Sequence, residues 1–328
     1  MNKTRYFVIA SLLTLGVGLS VGTLAYFGDT TIASSRQGGP DDLRLLPADA
    51  ALVGFVDVHT VMTSPLRERL RTLLPFPADG QQEFATQTGI NIDTDIDQIV
   101  AAFSPVPAGT EAAGGLVLAR GRFDVVKIEA LMRDHGANVE EYKGKRLVTA
   151  EESRQSVSLA FMEPGFIAIG SSRLVRGAVD LAAGGASVTG NEAVMNLVRD
   201  LDAADAWVVG RFDALASQAQ IPQDVKDKLP AIQWFSAMAS VDSGVRGMLK
   251  VETQTDEAAA SVREVIQGIM ALGRLQAGSH PEFEGVLQSL QLGGTGKTVA
   301  LAFDLPATFF DNIGRLAAPA SPASTPAQ

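Results

Sequence analysis

The chain has 328 residues, with 37 Asp plus Glu against 27 Lys plus Arg, a formal net charge of −10 and no cysteine. Nucleic acid is excluded as a partner by that balance, since phosphate binding needs a concentrated basic face. Disulfides are excluded outright, so any folded body must be held by its own core, which a chain of this length is able to build.

Residues 8–27, VIASLLTLGVGLSVGTLAYF, carry no charge; Lys3 and Arg5 precede them and Asp29 follows. A helix of about twenty residues reaches roughly 30 Å, the thickness of a bilayer's hydrocarbon core. The alternative is a cleaved signal peptide, but its apolar core is shorter, and the nearest small-residue cleavage pattern, Thr23-Leu24-Ala25, is poor. Tyr6, Tyr26 and Phe27 bracket the run as interfacial aromatics do. The expectation is a transmembrane anchor over residues 1–27 in the cytoplasmic membrane. Its positive flank stays in the cytoplasm and the body lies on the extracytoplasmic side. If the segment is cleaved instead, the protein is periplasmic or secreted.

Residues 28–45 are mostly polar, contain Gly38-Gly39-Pro40, and read as a flexible tether. The 317–328 tail, rich in Pro, Ala and Ser, lacks the apolar surface needed to fold. Between them two units are expected, 46–190 and 191–316, because short stretches recur in the same order. Asp49-Ala-Ala-Leu-Val-Gly-Phe-Val-Asp57 matches Asp205-Ala-Trp-Val-Val-Gly-Arg-Phe-Asp213 at five of nine positions. Val157–Pro164 matches Val299–Pro306 at five of eight. The tetrapeptide Gly-Arg-Phe-Asp also occurs twice, ending at Asp124 and at Asp213.

Each unit reads as apolar strands leading into helices. Ala51–Val56 is a strand that ends at Asp57, and Ser64-Pro65 caps and opens a helix carrying Leu66, Leu70, Leu73 and Leu74 on one face. Arg67, Arg69 and Arg71 are expected on its solvated face. Asp124 caps a second helix with Ile128, Leu131 and Met132 as its stripe and Gly136 as its stop. A strand over 244–251 precedes a long helix over 255–275, with Asp256 and Glu257 favoured in its first turn by the macrodipole. Tight turns at Lys143–Lys145, Glu163–Gly165 and Gly293–Lys297 indicate antiparallel pairing. The expected fold class is therefore α+β: an N-terminal transmembrane helix followed by two similar α+β units, with mostly antiparallel sheets and helices packed on one face.

Leu46-Pro-Ala-Asp-Ala-Ala-Leu-Val-Gly-Phe-Val-Asp57 with Ser64-Pro65, and Gly89-Ile-Asn-Ile-Asp-Thr-Asp-Ile-Asp97, resemble a poorly characterised bacterial family of single-span proteins with a duplicated extracytoplasmic α+β body. The resemblance implies that architecture and no catalytic residues, the family being a domain of unknown function.

Chemistry-bearing patterns are sparse. Leu292–Thr298 has the Gly-Lys-Thr of a phosphate-binding loop, but Gln291 stands where the first glycine belongs and a strand follows instead of a helix. A glycine-rich hairpin is expected. Asp93, Asp95 and Asp97 have the opening spacing of a calcium loop, yet Gln98 and Ser104 occupy the positions for the required Gly and Glu. Asp57 and His59 share one face of a strand end and are the other low-ranking metal candidates; a third ligand is wanting, since His135 and His280 lie in unrelated contexts. Asp57, Asp124, Asp213 and Asp304 recur at strand ends, where helix capping explains each separately. A glycosidase would instead gather two of them about 5–10 Å apart. No Ser-His-Asp set is recognisable. Catalytic residues, cofactors and metals are thus not expected. The anticipated role is an extracytoplasmic module that binds an envelope protein or an apolar ligand, the alternative being a hydrolase that uses strand-end aspartates.

Overall fold

The run Leu52-Val-Gly-Phe-Val56 has no polar side chain on either face, and a strand of that kind is stable only when both faces are covered. It forms β1 (Leu52–Asp57), at the centre of a twelve-stranded sheet in a computed structural model that describes residues 41–73, 85–86, 88–105, 114–152, 155–201, 203–214, 231–277 and 284–310. The expected anchor, residues 28–40 of the tether, and the tail lie outside the described residues. Among those described, no helix is long and apolar enough to cross a membrane.

The remaining strands are β2 (Ile96–Ser104), β3 (Gly114–Gly121), β4 (Asn138–Tyr142), β5 (Lys145–Glu152), β6 (Gln155–Glu163), β7 (Phe166–Ser171), β8 (Ala206–Arg211), β9 (Ile232–Val241), β10 (Val245–Thr253), β11 (Gln291–Gly293) and β12 (Thr298–Leu305). Their order across the sheet is β11-β12-β10-β9-β8-β1-β2-β3-β7-β6-β5-β4, with every described pairing antiparallel. The hairpin between β4 and β5 turns on Lys143 (φ 49°) and Gly144 (φ 75°), both left-handed as a two-residue hairpin of matching twist requires. The glycine-rich stretch after Leu292 is the β11–β12 hairpin expected from its sequence.

Eight α-helices are described: α1 (Val58–Thr63), α2 (Pro65–Leu73), α3 (Ile92–Asp95), α4 (Val125–Asp134), α5 (Ser172–Ala182), α6 (Glu192–Arg199), α7 (Asp256–Ala277) and α8 (Glu284–Ser289). The α+β class holds, but the helices do not keep to one face. On one side of the sheet Val53, Phe55, Leu116, Leu118, Phe166 and Trp207 pack against α5, α6 and the 3-10 turn Asp41–Leu45. On the other, Val56, Ile99, Leu159, Ile167 and Ile169 pack against α1, α2 and α4. The cause is the composition of the central strands: β1 and β7 are buried at every position but the last, so a layer is needed on each face.

One ion pair fastens the start of the body to the sheet. Arg120 on β3 donates from Nε and Nη2 to the two oxygens of Asp42, at 2.7 and 2.6 Å, and Gln98 donates to the same carboxylate at 3.1 Å. Its guanidinium also lies 4.0 Å from the centre of the Phe166 ring. Asp42 is 2% exposed, so its charge depends on these donors.

Candidate functional site

Asp57 is the N-cap of α1, its Oδ1 accepting from the Thr60 amide at 2.8 Å, and Asp124 caps α4 in the same way through Lys127 at 3.0 Å. Ser64 caps α2, accepting from the Arg67 amide at 3.1 Å. Asp304 does not cap: it lies within β12, half exposed, with Arg246 of β10 at 3.8 Å. A strand residue facing a cross-strand arginine needs no helix to explain it. Asp213 sits inside the short helical stretch 212–214 and is clamped by Arg211, whose guanidinium holds its carboxyl below the usual carboxylate range. The residues that would follow it in a longer helix are outside the described ones.

The metal candidates are likewise engaged within the chain. Asp93 pairs with Arg67 at 3.4 Å, and Asp95 pairs with Arg122 at 3.5 Å while accepting from the Asn91 amide at 2.8 Å. Asp97 is exposed at the start of β2. Arg67 was expected on a solvated helix face; it is instead 7% exposed, because the α2 face that carries it turns toward the Asp93 turn. His59 is exposed on α1, and its neighbour Asp57 is committed to the cap. His280 lies outside the described residues. Among those described, no group of three or more His, Cys, Asp or Glu side chains is arranged to hold a metal ion.

A carboxylate pair that the sequence reading missed is Asp57 with Asp205. The Asp57 amide donates to the Asp205 carbonyl at 2.7 Å, across the β1–β8 seam. The Asp205 carboxylate accepts from the Val241 amide at 2.6 Å. Burial pushes its pKa up; the Val241 hydrogen bond opposes this and the nearby Asp57 charge adds to it. Both carboxylates therefore serve backbone amides where the end of β1 meets the start of β8.

The feature suited to holding a ligand is an apolar pocket between α4 and the sheet. Ile128, Leu131 and Met132 of α4 form its roof, and Ala150, Leu159, Ile167 and Ile169 of β5, β6 and β7 its floor. Thr88, Ile90, His135 and Ala137 close the sides. Its volume is about 40 Å³ and its exposed lining is wholly apolar. The two polar side chains around it are turned to the chain's own backbone. Thr88 Oγ1 accepts from the Ile90 amide at 3.1 Å, and His135 Nδ1 lies 2.7 Å from the Leu131 carbonyl. A carbonyl only accepts, so Nδ1 carries the proton.

The roof is fixed at both ends and in the middle. Asp124 caps its start; His135 ends it, with Gly136 in the left-handed region at φ 85°. Glu129, 5% exposed, receives Arg146 of β5 at 2.6 Å and Arg133 at 2.8 Å. The pocket's volume is well above the roughly 10–15 Å³ one water needs, but a water also needs two to four polar partners, and the walls offer none. The pocket therefore favours an apolar group over water.

No protein-family profile matches the chain, and no curated protein is similar to it. Among solved structures, crystal form I of TP0453 has a TM-score of 0.48 at 10% identity, covering 86% of this chain and 100% of that one. Crystal form III of TP0453 has a TM-score of 0.46 at 10% identity, covering 84% of this chain and 99% of that one.

Proposed function

We propose that the protein is a membrane-anchored envelope protein whose extracytoplasmic body binds an apolar ligand by seating a small apolar group, such as the end of an alkyl chain, in the pocket beneath α4. The observation that carries this reading is the dry lining of a space large enough for water. The anchor rests on residues 8–27 and their positive flank. The body is read as two related units meeting at β1 and β8, in support of which three strands in chain order run outward on each side, β1-β2-β3 and β8-β9-β10, before β7-β6-β5-β4 on one side and β12-β11 on the other. The sequence match over 49–57 and 205–213 joins β1 to β8 in agreement with that symmetry. The second match pairs β6 with β12, which hold the fifth and fourth places from the seam, and lends it nothing.

The test is titration of the full chain, in nonionic detergent, with a fluorescent fatty acid. Saturable binding is expected, and Ala150→Phe, which fills the pocket floor, should abolish it while cooperative melting is kept. Binding unchanged in that variant overturns the reading. Carbonate extraction and protease treatment of spheroplasts test the anchor and its orientation: the protein should stay with the membranes and its body should be digested.

A second reading, docking of a partner envelope protein, is favoured by one stripe on α7, where Val265, Ile269, Leu272 and Leu275 are 57–78% exposed. Cross-linking from Ile269→Cys in intact cells should then trap a discrete adduct. The hydrolase alternative has less support, since Asp57 and Asp124 are committed to caps and neither lines the pocket.

A further inference from the structure

At the far end of the sheet from α4, helix α7 lies beside the β11–β12 hairpin with a cleft of about 520 Å³ between them. From α7 it is lined by Arg263, Gln267, Met270 and Arg274, whose spacing of four, three and four residues places them on one helix face. Met270, Leu290 and Leu292 make an apolar floor, and the Gly293-Gly294 backbone forms the opposite wall. The volume falls within the roughly 300–1,000 Å³ typical of ligand sites, which also combine an apolar lining with a few placed polar groups.

The polar side of the cleft is cationic in a chain of net charge −10. Arg263 Nη2 donates to the carbonyls of Gly296 and Thr298, at 2.9 and 2.8 Å, which holds its guanidinium over the hairpin with other N–H groups to spare. Arg274 has no carboxylate partner among the described residues. The wall opposite is fixed as well: Gly294 has φ 90°, and a Cβ there would stand 2.4 Å from the Thr298 carbonyl oxygen, so only glycine keeps this turn against the hairpin. Among the described residues β11 pairs with β12 alone, leaving its other side without a strand.

A guanidinium fork matches an oxyanion, which accepts from it in pairs. Arg263 and Arg274 stand roughly 16 Å apart along α7 and Arg263 is turned to the hairpin carbonyls, so Arg274 is the fork open to a ligand. The adjoining floor suits an apolar body. We propose that this cleft is a second binding site, distinct from the pocket beneath α4, for a phosphate-headed amphiphile whose oxyanion meets Arg274 while its chain lies on Met270, Leu290 and Leu292. The Gly-Lys-Thr hairpin, which lacks the helix start of a nucleotide-binding loop, then contributes a wall to the site instead of a phosphate cradle.

Calorimetric titration of the full chain in nonionic detergent with hexyl phosphate, inorganic phosphate and hexanol tests the assignment. Hexyl phosphate should saturate one site about tenfold or more tightly than inorganic phosphate, and hexanol should not compete for it. Arg274→Gln should weaken hexyl phosphate about tenfold or more, with Arg274→Lys intermediate and the melting of both unchanged, since Arg274 is exposed. Ala150→Phe should leave this binding intact, which separates the site from the pocket beneath α4. Four results would each overturn the proposal: no saturable binding of hexyl phosphate, equal affinity for inorganic phosphate, indifference to Arg274→Gln, or loss on Ala150→Phe.

Discussion

Helices α5 and α7 both carry apolar stripes, yet the sheet uses them in opposite ways. α5, eleven residues long, buries Leu174, Val175, Ala178 and Val179 to 4% exposure or less. α7, with twenty-two residues, buries Ala259 and Met270 among its described apolar side chains and leaves Val265, Ile269, Leu272 and Leu275 in solvent. Length therefore does not measure attachment. α5 lies over the half of the sheet covered on both faces, where each apolar residue meets strand side chains; α7 lies beside the outer strands, touching the sheet along one narrow line and opening a cleft there. The covered half holds the fold, and the outer half keeps apolar and cationic surface available.

The comparison breaks most sharply at Arg120. Arg120→Ala leaves Asp42 buried with only Gln98 to meet its charge, and a loss of about 3–5 kcal/mol is expected. Asp42→Ala should cost less, because the Arg120 side chain is 35% exposed and remains hydrated. Denaturant unfolding of the full chain in nonionic detergent measures both, and equal losses would show that the pair acts by packing and not by charge. Next comes Leu174→Ala, expected to cost about 2–5 kcal/mol by removing a side chain from the packed core. Ile269→Ala on α7 should stay within about 0.5 kcal/mol, as an exposed substitution does. Comparable values at the two sites would mean that α7 is covered in solution.

The caps give a smaller effect than Leu174→Ala and reach the proposed site. Asp124→Ala removes the acceptor for the Lys127 amide and should cost about 0.5–2 kcal/mol, while Asp124→Asn restores most of it. Because α4 roofs the apolar pocket, the alanine variant should also weaken fatty-acid binding, and the asparagine variant should not.

Much of this was legible in local sequence. Hairpins announced themselves through Lys143-Gly144 and Pro164-Gly165, and the caps at Asp57, Ser64 and Asp124 follow from a polar residue placed before an apolar period. What local sequence lacks is the identity of the surface that each stripe meets. Arg67 has the spacing of a solvated face, yet Asp93, twenty-six residues on, draws it into the body. Asp304 has the same strand-end look as Asp57, and only the register with Arg246 shows it to be a cross-strand partner. The pocket and the cleft are further still from the sequence: each joins a helix face to strands or a turn distant in the chain, so no single motif encodes either one.

An expected effect of opposite sign belongs to Asp205, where β8 begins beside the end of β1. Its carboxyl titrates above the ordinary range, chiefly because burial disfavours the charged form. A folded-state pKa raised above the unfolded one means that the native protein holds the proton more tightly, so stability falls as pH rises from the ordinary carboxylate pKa through the raised one. The penalty is then fully present at neutral pH and relieved in acid. Asp205→Asn keeps an oxygen to accept from the Val241 amide while removing the buried charge and its repulsion with Asp57. The variant should match or exceed the parent's stability at pH 7, lose the advantage as the pH is lowered, and show a flatter stability profile just above the ordinary carboxylate range. A variant less stable than the parent at pH 7 would instead show that the charged carboxylate holds the seam together, with its bond to the Val241 amide outweighing the cost of burial.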